Sequence, residues 1–183
     1  MLRFLTAGET HGKCLVAILE GMCSNLAIDE KKINEYLCLR QGGYGRGGRM
    51  KIETDTVEIL SGVRGGKTLG SPIALLIKNK DFENWKNIMG TDFATDERKV
   101  TTPRPGHADL TGAIKYGHGD IRNVLERASA RETAIRTAVG AVCAELLEAL
   151  GIKIYSRVVA VGNVKDETGY EKEDFEKRIS ASE

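Results

Sequence analysis

His11 stands in the run Gly8-Glu9-Thr10-His11-Gly12, and His107 in Arg104-Pro105-Gly106-His107-Ala108-Asp109. Imidazole is the side chain whose charge changes near neutral pH, so each is a candidate acid or base. Arginines are concentrated around them. Arg40, Arg46 and Arg49 lie in the glycine-rich stretch LRQGGYGRGGRM, and Arg104, Arg122, Arg127, Arg131 and Arg136 follow. The guanidinium fork suits carboxylate and phosphate, and glycine lets backbone come close to a ligand. Together these residues describe a site for a small, multiply charged anion with a proton-transfer step attached.

Each feature also has a plainer reading. His11 sits in a tight turn, where a histidine can simply hydrogen-bond its own loop. His107 follows a stiff Pro-Gly lead-in, which holds a side chain in place at little entropic cost but also suits a helix cap. His118, between two glycines, reads as structural. The three lack the HxxxH or HxH spacing of a metal site, and no cysteine stands near them. Gly43 to Gly48 match GxGxxG, but the match follows a helical pattern rather than a strand, so the dinucleotide context is missing; no GKS or GKT follows to make a P-loop. Arg40, Arg46 and Arg49 also fit a solvated basic loop, or an RGG-like grip on single-stranded nucleic acid. Arg127 and Arg131 flank Ser129 at the mouth of a helix. Cations there oppose the helix dipole by about 0.3–1 kcal/mol, which an anion held between them would offset; Glu126 and Glu132 are the alternative, as surface partners.

The elements that position these residues follow from periodicity. Residues 2–6 and 14–19 read as a hairpin around the GETHG turn. Asp29 caps a helix with Ile33, Tyr36 and Leu37 on one face, ending before Gly42. Residues 52–60 and 73–78 alternate as strands. Residues 81–99 are polar, carry the only tryptophan, Trp85, and read as a long connection. Residues 109–116 form a short helix closed by Gly117. Ser129-Ala130-Arg131-Glu132 fits a capping box, and the apolar positions from Ile135 to Leu150 recur at helical spacing up to Gly151. Residues 152–161 return as a strand. Without a βαβ rhythm the class is α+β.

The chain has 183 residues, 41% of them hydrophobic, and a net charge of +1. That is one ordinary domain without the global basic field that nucleic acid attracts. No apolar run approaches the ~20 residues of a membrane span, and the start lacks a secretory pattern, so a cytoplasmic protein without membrane contact is expected. The four cysteines read as reduced, mostly buried thiols. The acidic tail, KEDFEKRISASE, reads as the first turns of a helix without a stop signal, so a longer parent chain is expected.

Taken in order, the GETHG run, the loop Arg40-Gln41-Gly42-Gly43-Tyr44-Gly45-Arg46-Gly47, RPGHAD and Glu126-Arg127-Ala128-Ser129-Ala130-Arg131-Glu132-Thr133 resemble the signatures of the chorismate synthase family. The resemblance implies an anti-1,4-elimination of phosphate from 5-enolpyruvylshikimate 3-phosphate, giving chorismate. It implies reduced FMN as cofactor, with NADPH a possible reductant, and a homotetramer. It implies a layered β-α-β sandwich, incomplete here, with residues 1–183 as one domain and the amino-terminal half of a longer one. By position, His11 resembles the family's proton donor to the departing phosphate, and His107 the histidine beside the flavin. Arg40, Arg46, Arg49 and Arg131 resemble substrate or nicotinamide-nucleotide contacts. Arg127, Ala128 and Ser129 resemble a flavin-contacting segment. Thr10 replaces a common serine and keeps the hydroxyl. A non-catalytic fragment is the alternative.

Overall fold

Strand β1 (Arg3–Ala7) and strand β2 (Cys14–Glu20) form the expected antiparallel hairpin, with Arg3 opposite Glu20 and Ala7 opposite Val16. In this computed structural model the described residues are 1–42, 52–93 and 95–167. Beyond the hairpin come β3 (Ser24–Ala27), α1 (Glu30–Gln41), β4 (Val57–Ser61), β5 (Val63–Arg64), β6 (Lys67–Leu69) and β7 (Ile73–Lys78). The second half carries α2 (Asp109–Tyr116), α3 (Arg122–Ala128), α4 (Thr133–Ala149), β8 (Ala160–Val161) and β9 (Val164–Lys165). The main sheet runs β1-β2-β7-β4 with antiparallel neighbours throughout; β3-β6-β5 and β8-β9 are smaller antiparallel sheets. Helix and sheet are mixed without a parallel pair among the described residues, so the class is α+β.

The period of two along β2 and β7 sends Leu15, Ala17, Leu19, Ile73, Leu75 and Ile77 to one face, where all are buried. Ile33 and Leu37 of α1 and Ile135, Ala138, Val139 and Val142 of α4 close over them in a single apolar core. Asp29 caps α1, its carboxylate accepting from the Lys31 amide at 2.9 Å. At the far end of α4, Gly151 (φ 75°) lets the Ile152 amide reach the Leu147 carbonyl and its own amide reach Glu148, a Schellman closure.

Four expectations need correction. The strand expected over 52–60 begins only at Val57, because its partner β7 ends at Lys78. Further back, side chains of α1 replace the ladder: Gln41 bonds the Glu53 carbonyl and the Asp55 amide, and Asn34 bonds the Val57 amide. The strand expected over 152–161 survives only as Ala160–Val161, since Ile154, Val158 and Val159 lie exposed with no strand beside them among the described residues. The thiols are not mostly buried: Cys23 and Cys38 are exposed, Cys14 and Cys143 half-buried. The capping box is half made. Ser129 accepts from the Arg131 amide at 3.3 Å, opening a 3-10 turn (Ala130–Glu132) ahead of α4, while the Glu132 carboxylate turns to Thr6 and Arg136. Helix α3 and strands β3, β5 and β6 carried no periodic signal long enough to read. The glycine–arginine loop from residue 43 to 51, with Arg46 and Arg49, and the acidic tail from residue 168 lie outside the described residues.

Candidate functional site

Gly8 starts the β1–β2 turn at φ 113°, and a Cβ there would lie 2.5 Å from the Cys14 carbonyl oxygen, so only glycine fits. The turn is then pinned to α3. The Thr10 amide donates to the Glu126 carbonyl at 2.9 Å, and the Thr10 hydroxyl donates to the same oxygen at 2.7 Å. His11 thereby lands on the Glu126 carboxylate: its amide meets Oε2 at 2.9 Å and its Nδ1 meets Oε1 at 2.8 Å. One turn back on α3, Arg122 Nη1 donates to the same Oε1 at 3.1 Å. Burial pushes the Glu126 pKa up, but these bonds from His11 and Arg122 outweigh it and hold the carboxyl below its ordinary value.

The other side of His11 is aromatic. Trp85 stacks on its ring at 3.8 Å between centroids and 20° between planes. The guanidinium carbons of Arg98 and Arg122 lie 4.2 and 4.9 Å from the indole centroid, within cation–π reach. Arg98 holds the uncommon left-handed backbone (φ 57°), and its carbonyl accepts from Arg122 Nε. The polar stretch read as a plain connection thus delivers the indole to the imidazole.

His107 sits just ahead of α2 and hydrogen-bonds through Nδ1 to Asp109 Oδ1. Asp109 is wholly buried and also accepts from Arg104 through Nε (2.9 Å), Nη2 (3.1 Å) and the backbone amide (3.0 Å). These bonds from Arg104 hold the Asp109 carboxyl far below the usual carboxylate range despite its burial. Helices α2 and α3 lie against each other at Gly112, where a Cβ would come within 2.3 Å of Val124 Cγ1. Both histidines therefore hang from one helix pair, His11 on α3 and His107 at the start of α2. A cleft of about 260 Å³ runs beside it, lined by Ala108, Gly112, Tyr116, Val124, Arg127 and Ala128.

The arginines divide. Arg131 points inward and is 6% exposed, its Nη1 holding both oxygens of Asp55 at 2.6 and 2.7 Å and its Nε donating to Asn79 Oδ1 at 2.9 Å. Arg40 shares Asp55 at 3.5 Å and bonds the Thr133 hydroxyl and the Ala130 carbonyl at 3.0 Å each. Arg127 is partly exposed and reaches the Thr6 carbonyl (2.9 Å) and hydroxyl (2.7 Å). Ser129 serves the 3-10 turn, and Ala128 lines the cleft. His118 lies apart, its ring 6.2 Å from that of Tyr116. Glu126, in the alternative reading a surface partner of Arg127 and Arg131, is buried against His11 and Arg122 instead. Sequence reasoning missed Trp85, Asp55 and Asn79 beside these residues, and named Arg122 without its partner Glu126. The i, i+4 pair Arg122–Glu126 and the i, i+2 pair His107–Asp109 were the available signals.

An α+β fold that backs two imidazoles with buried carboxylates and surrounds them with guanidinium groups can move protons beside an anion. The chain belongs to the chorismate synthase family: the family's sequence pattern, described as chorismate synthase, matches residues 2–182. Chorismate synthase of Sulfurihydrogenibium sp. (strain YO3AOP1) is 60% identical over all of this chain and 47% of its own length. That of Caldicellulosiruptor bescii is 58% identical over all of this chain and 49% of its own. A crystal structure of chorismate synthase, 52% identical, superposes with a TM-score of 0.69 over 91% of this chain and 40% of that one. The chain thus spans about half the length of the curated relatives it matches.

Proposed function

We propose that the protein containing this chain is a chorismate synthase, removing phosphate and a ring hydrogen from 5-enolpyruvylshikimate 3-phosphate by anti-1,4-elimination. The family match across residues 2–182 carries this reading, and the mounting of His11 fits it. The substrate has two carboxylates and a phosphate, so binding it calls for guanidinium groups. Arg40, Arg46, Arg49 and Arg131 are the expected set; at Arg131 an anion has to compete with Asp55. A layered sandwich, a single domain over 1–183, a homotetramer and a cytoplasmic site of action belong to the same reading.

The α2–α3 cleft suits part of a flavin: an apolar wall opened by Gly112, with Arg127 at the rim and Ala128 inside. Arg127, Ala128 and Ser129 would hold that part of reduced FMN, which when bound supplies electron density for loss of the phosphate. The chain's own residues do the rest. His11 is held with one ring nitrogen on Glu126 and the opposite nitrogen turned away from it, able to hand a proton to the departing phosphate. Trp85 keeps the ring from turning. His107, at the rim of α2 beside Ala108 of the cleft, is placed to hold a proton near the flavin.

The test is anaerobic turnover by the full-length protein with reduced FMN. Chorismate and phosphate should appear together, and His11→Ala or His107→Ala should each lower turnover by at least about 10²-fold. A protein that binds the substrate without releasing phosphate would overturn the function. Near-normal turnover in both variants would overturn the two roles.

A further inference from the structure

The two histidines are mounted alike. His11 Nδ1 meets Glu126 Oε1 at 2.8 Å, and His107 Nδ1 meets Asp109 Oδ1. Both carboxylates are buried, Glu126 at 2% exposure and Asp109 at 0%. Each is gripped by an arginine, Arg122 Nη1 on Glu126 at 3.1 Å and Arg104 Nε on Asp109 at 2.9 Å. Each is also tied to backbone near its own histidine, through the amide of His11 in one case and of Arg104 in the other. The third histidine, His118, has an aromatic neighbour, Tyr116, and no carboxylate partner among the described residues.

We propose that Glu126 and Asp109 are positioning residues that hold both imidazoles in the tautomer protonated at Nδ1, so that Nε2 is the nitrogen that gives or takes the proton in each. The proposal rests on the reading of His11 and His107 as proton-handling groups. An ionised carboxylate can only accept a hydrogen bond, so the ring nitrogen facing it has to donate. Other groups facing the rings do not reverse this. Asp81 Oδ2 lies 3.8 Å from His11 Nε2, beyond hydrogen-bonding reach, so Glu126 decides the neutral tautomer. Asp81 then adds favourable charge on the far side once the ring is protonated. At His107, Arg104 Nη2 stands 3.1 Å from Nδ1 and 3.4 Å from Nε2, a donor with a claim on either nitrogen. The shorter bond to the ionised Asp109 is charge-assisted and takes Nδ1. A buried carboxylate behind a histidine is known to act through tautomer and orientation rather than by taking the proton itself.

The test reads the ring nitrogens directly. Full-length protein labelled with 15N-histidine is examined by NMR at a pH where the rings are neutral, and His11, His107 and His118 are assigned by single replacement. His11 and His107 should show a protonated Nδ1 and a bare Nε2, while His118 shows the mixture of a free imidazole. Glu126→Gln should shift only the His11 ring toward the Nε2-protonated form, and Asp109→Asn only the His107 ring. Each should lower kcat by at least about 10-fold while KM moves less. Wild-type protein with a protonated Nε2 at either neutral ring overturns the proposal for that ring, and this reading does not depend on the Glu126 or Asp109 variants folding. Variants that lose turnover with both ring tautomers unchanged overturn it too, since the carboxylates would then only support the fold. The predicted tautomers in a protein that cannot carry out the elimination would instead overturn the function and leave the tautomers standing.

Discussion

Arg131 faces Asp55, Asn79, Glu53 and the Lys78 carbonyl, and almost no water. With Asp55 on Nη1, Asn79 on Nε and the Lys78 carbonyl near Nη2, it ties the turn ahead of α4 to the end of β7 and to the stretch before β4. Removing one member of a buried ion pair strands the other, at a cost of about 3–5 kcal/mol. Arg131→Ala should therefore lower the free energy of unfolding by that much, whereas Arg127→Ala, partly exposed, should cost at most about 1 kcal/mol. Urea unfolding followed by circular dichroism checks both. The contrast also marks how far single residues were legible. Motif position singled out His11, His107 and the arginines as candidates. It could not say which arginine turns inward, because that depends on Asp55 and Asn79, which come from 76 and 52 residues away. The partners of the histidines were hidden for a similar reason: Glu126 stands beside Arg127 in the chain, but in space it belongs to His11.

Elements were legible where they carry their own period and punctuation. Helix α1 with its Asp29 cap, helix α2 with Gly117, β7, and the long apolar repeat of α4 ending at Gly151 were all readable from sequence. Strands that depend on a neighbour were not: 52–56 and 152–159 have strand-like patterns but no ladder to join among the described residues. Helix α4 reveals its link to α1 only in three dimensions. Glu145 is buried, and its Oε2 accepts from the Asp29 amide at 2.9 Å, at the very start of α1. Burial raises its pKa, and the single backbone bond does not offset this. The folded state then holds the proton to higher pH than the unfolded chain, so stability falls as pH rises from the ordinary carboxylate range through the raised folded value. Glu145→Gln should accordingly unfold at higher temperature than wild type at pH 7–8, with the difference closing below about pH 4. Thermal melts across that range check the sign.

As a whole the molecule is joined in two ways. The apolar cluster draws on β2, β7, α1 and α4 and includes no residue between Ile77 and Ala134. The intervening segment, with Trp85, His107, α2 and α3, is fastened largely by charge and hydrogen bonds: Asp109 with Arg104, Glu126 with His11 and Arg122, and the Ile121 amide on the Val100 carbonyl. Such a segment opens more easily than the core. Amides of α2 and α3 should exchange with deuterium through openings roughly 2 kcal/mol or more below those of β2, β7 and α4. Because the Asp109 and Glu126 carboxyls lie below their ordinary values, the support they give is present at neutral pH and is lost as pH falls below about 4. Acid should widen the gap, and mass-resolved exchange at pH 7 and at about pH 2–3 checks both points. The same segment lays its indole, the chain's single tryptophan, flat against His11. The chain thereby carries its own optical probe: ultraviolet emission from the indole should respond to changes at that imidazole and at the two guanidinium groups beside it, without a dye and without a label.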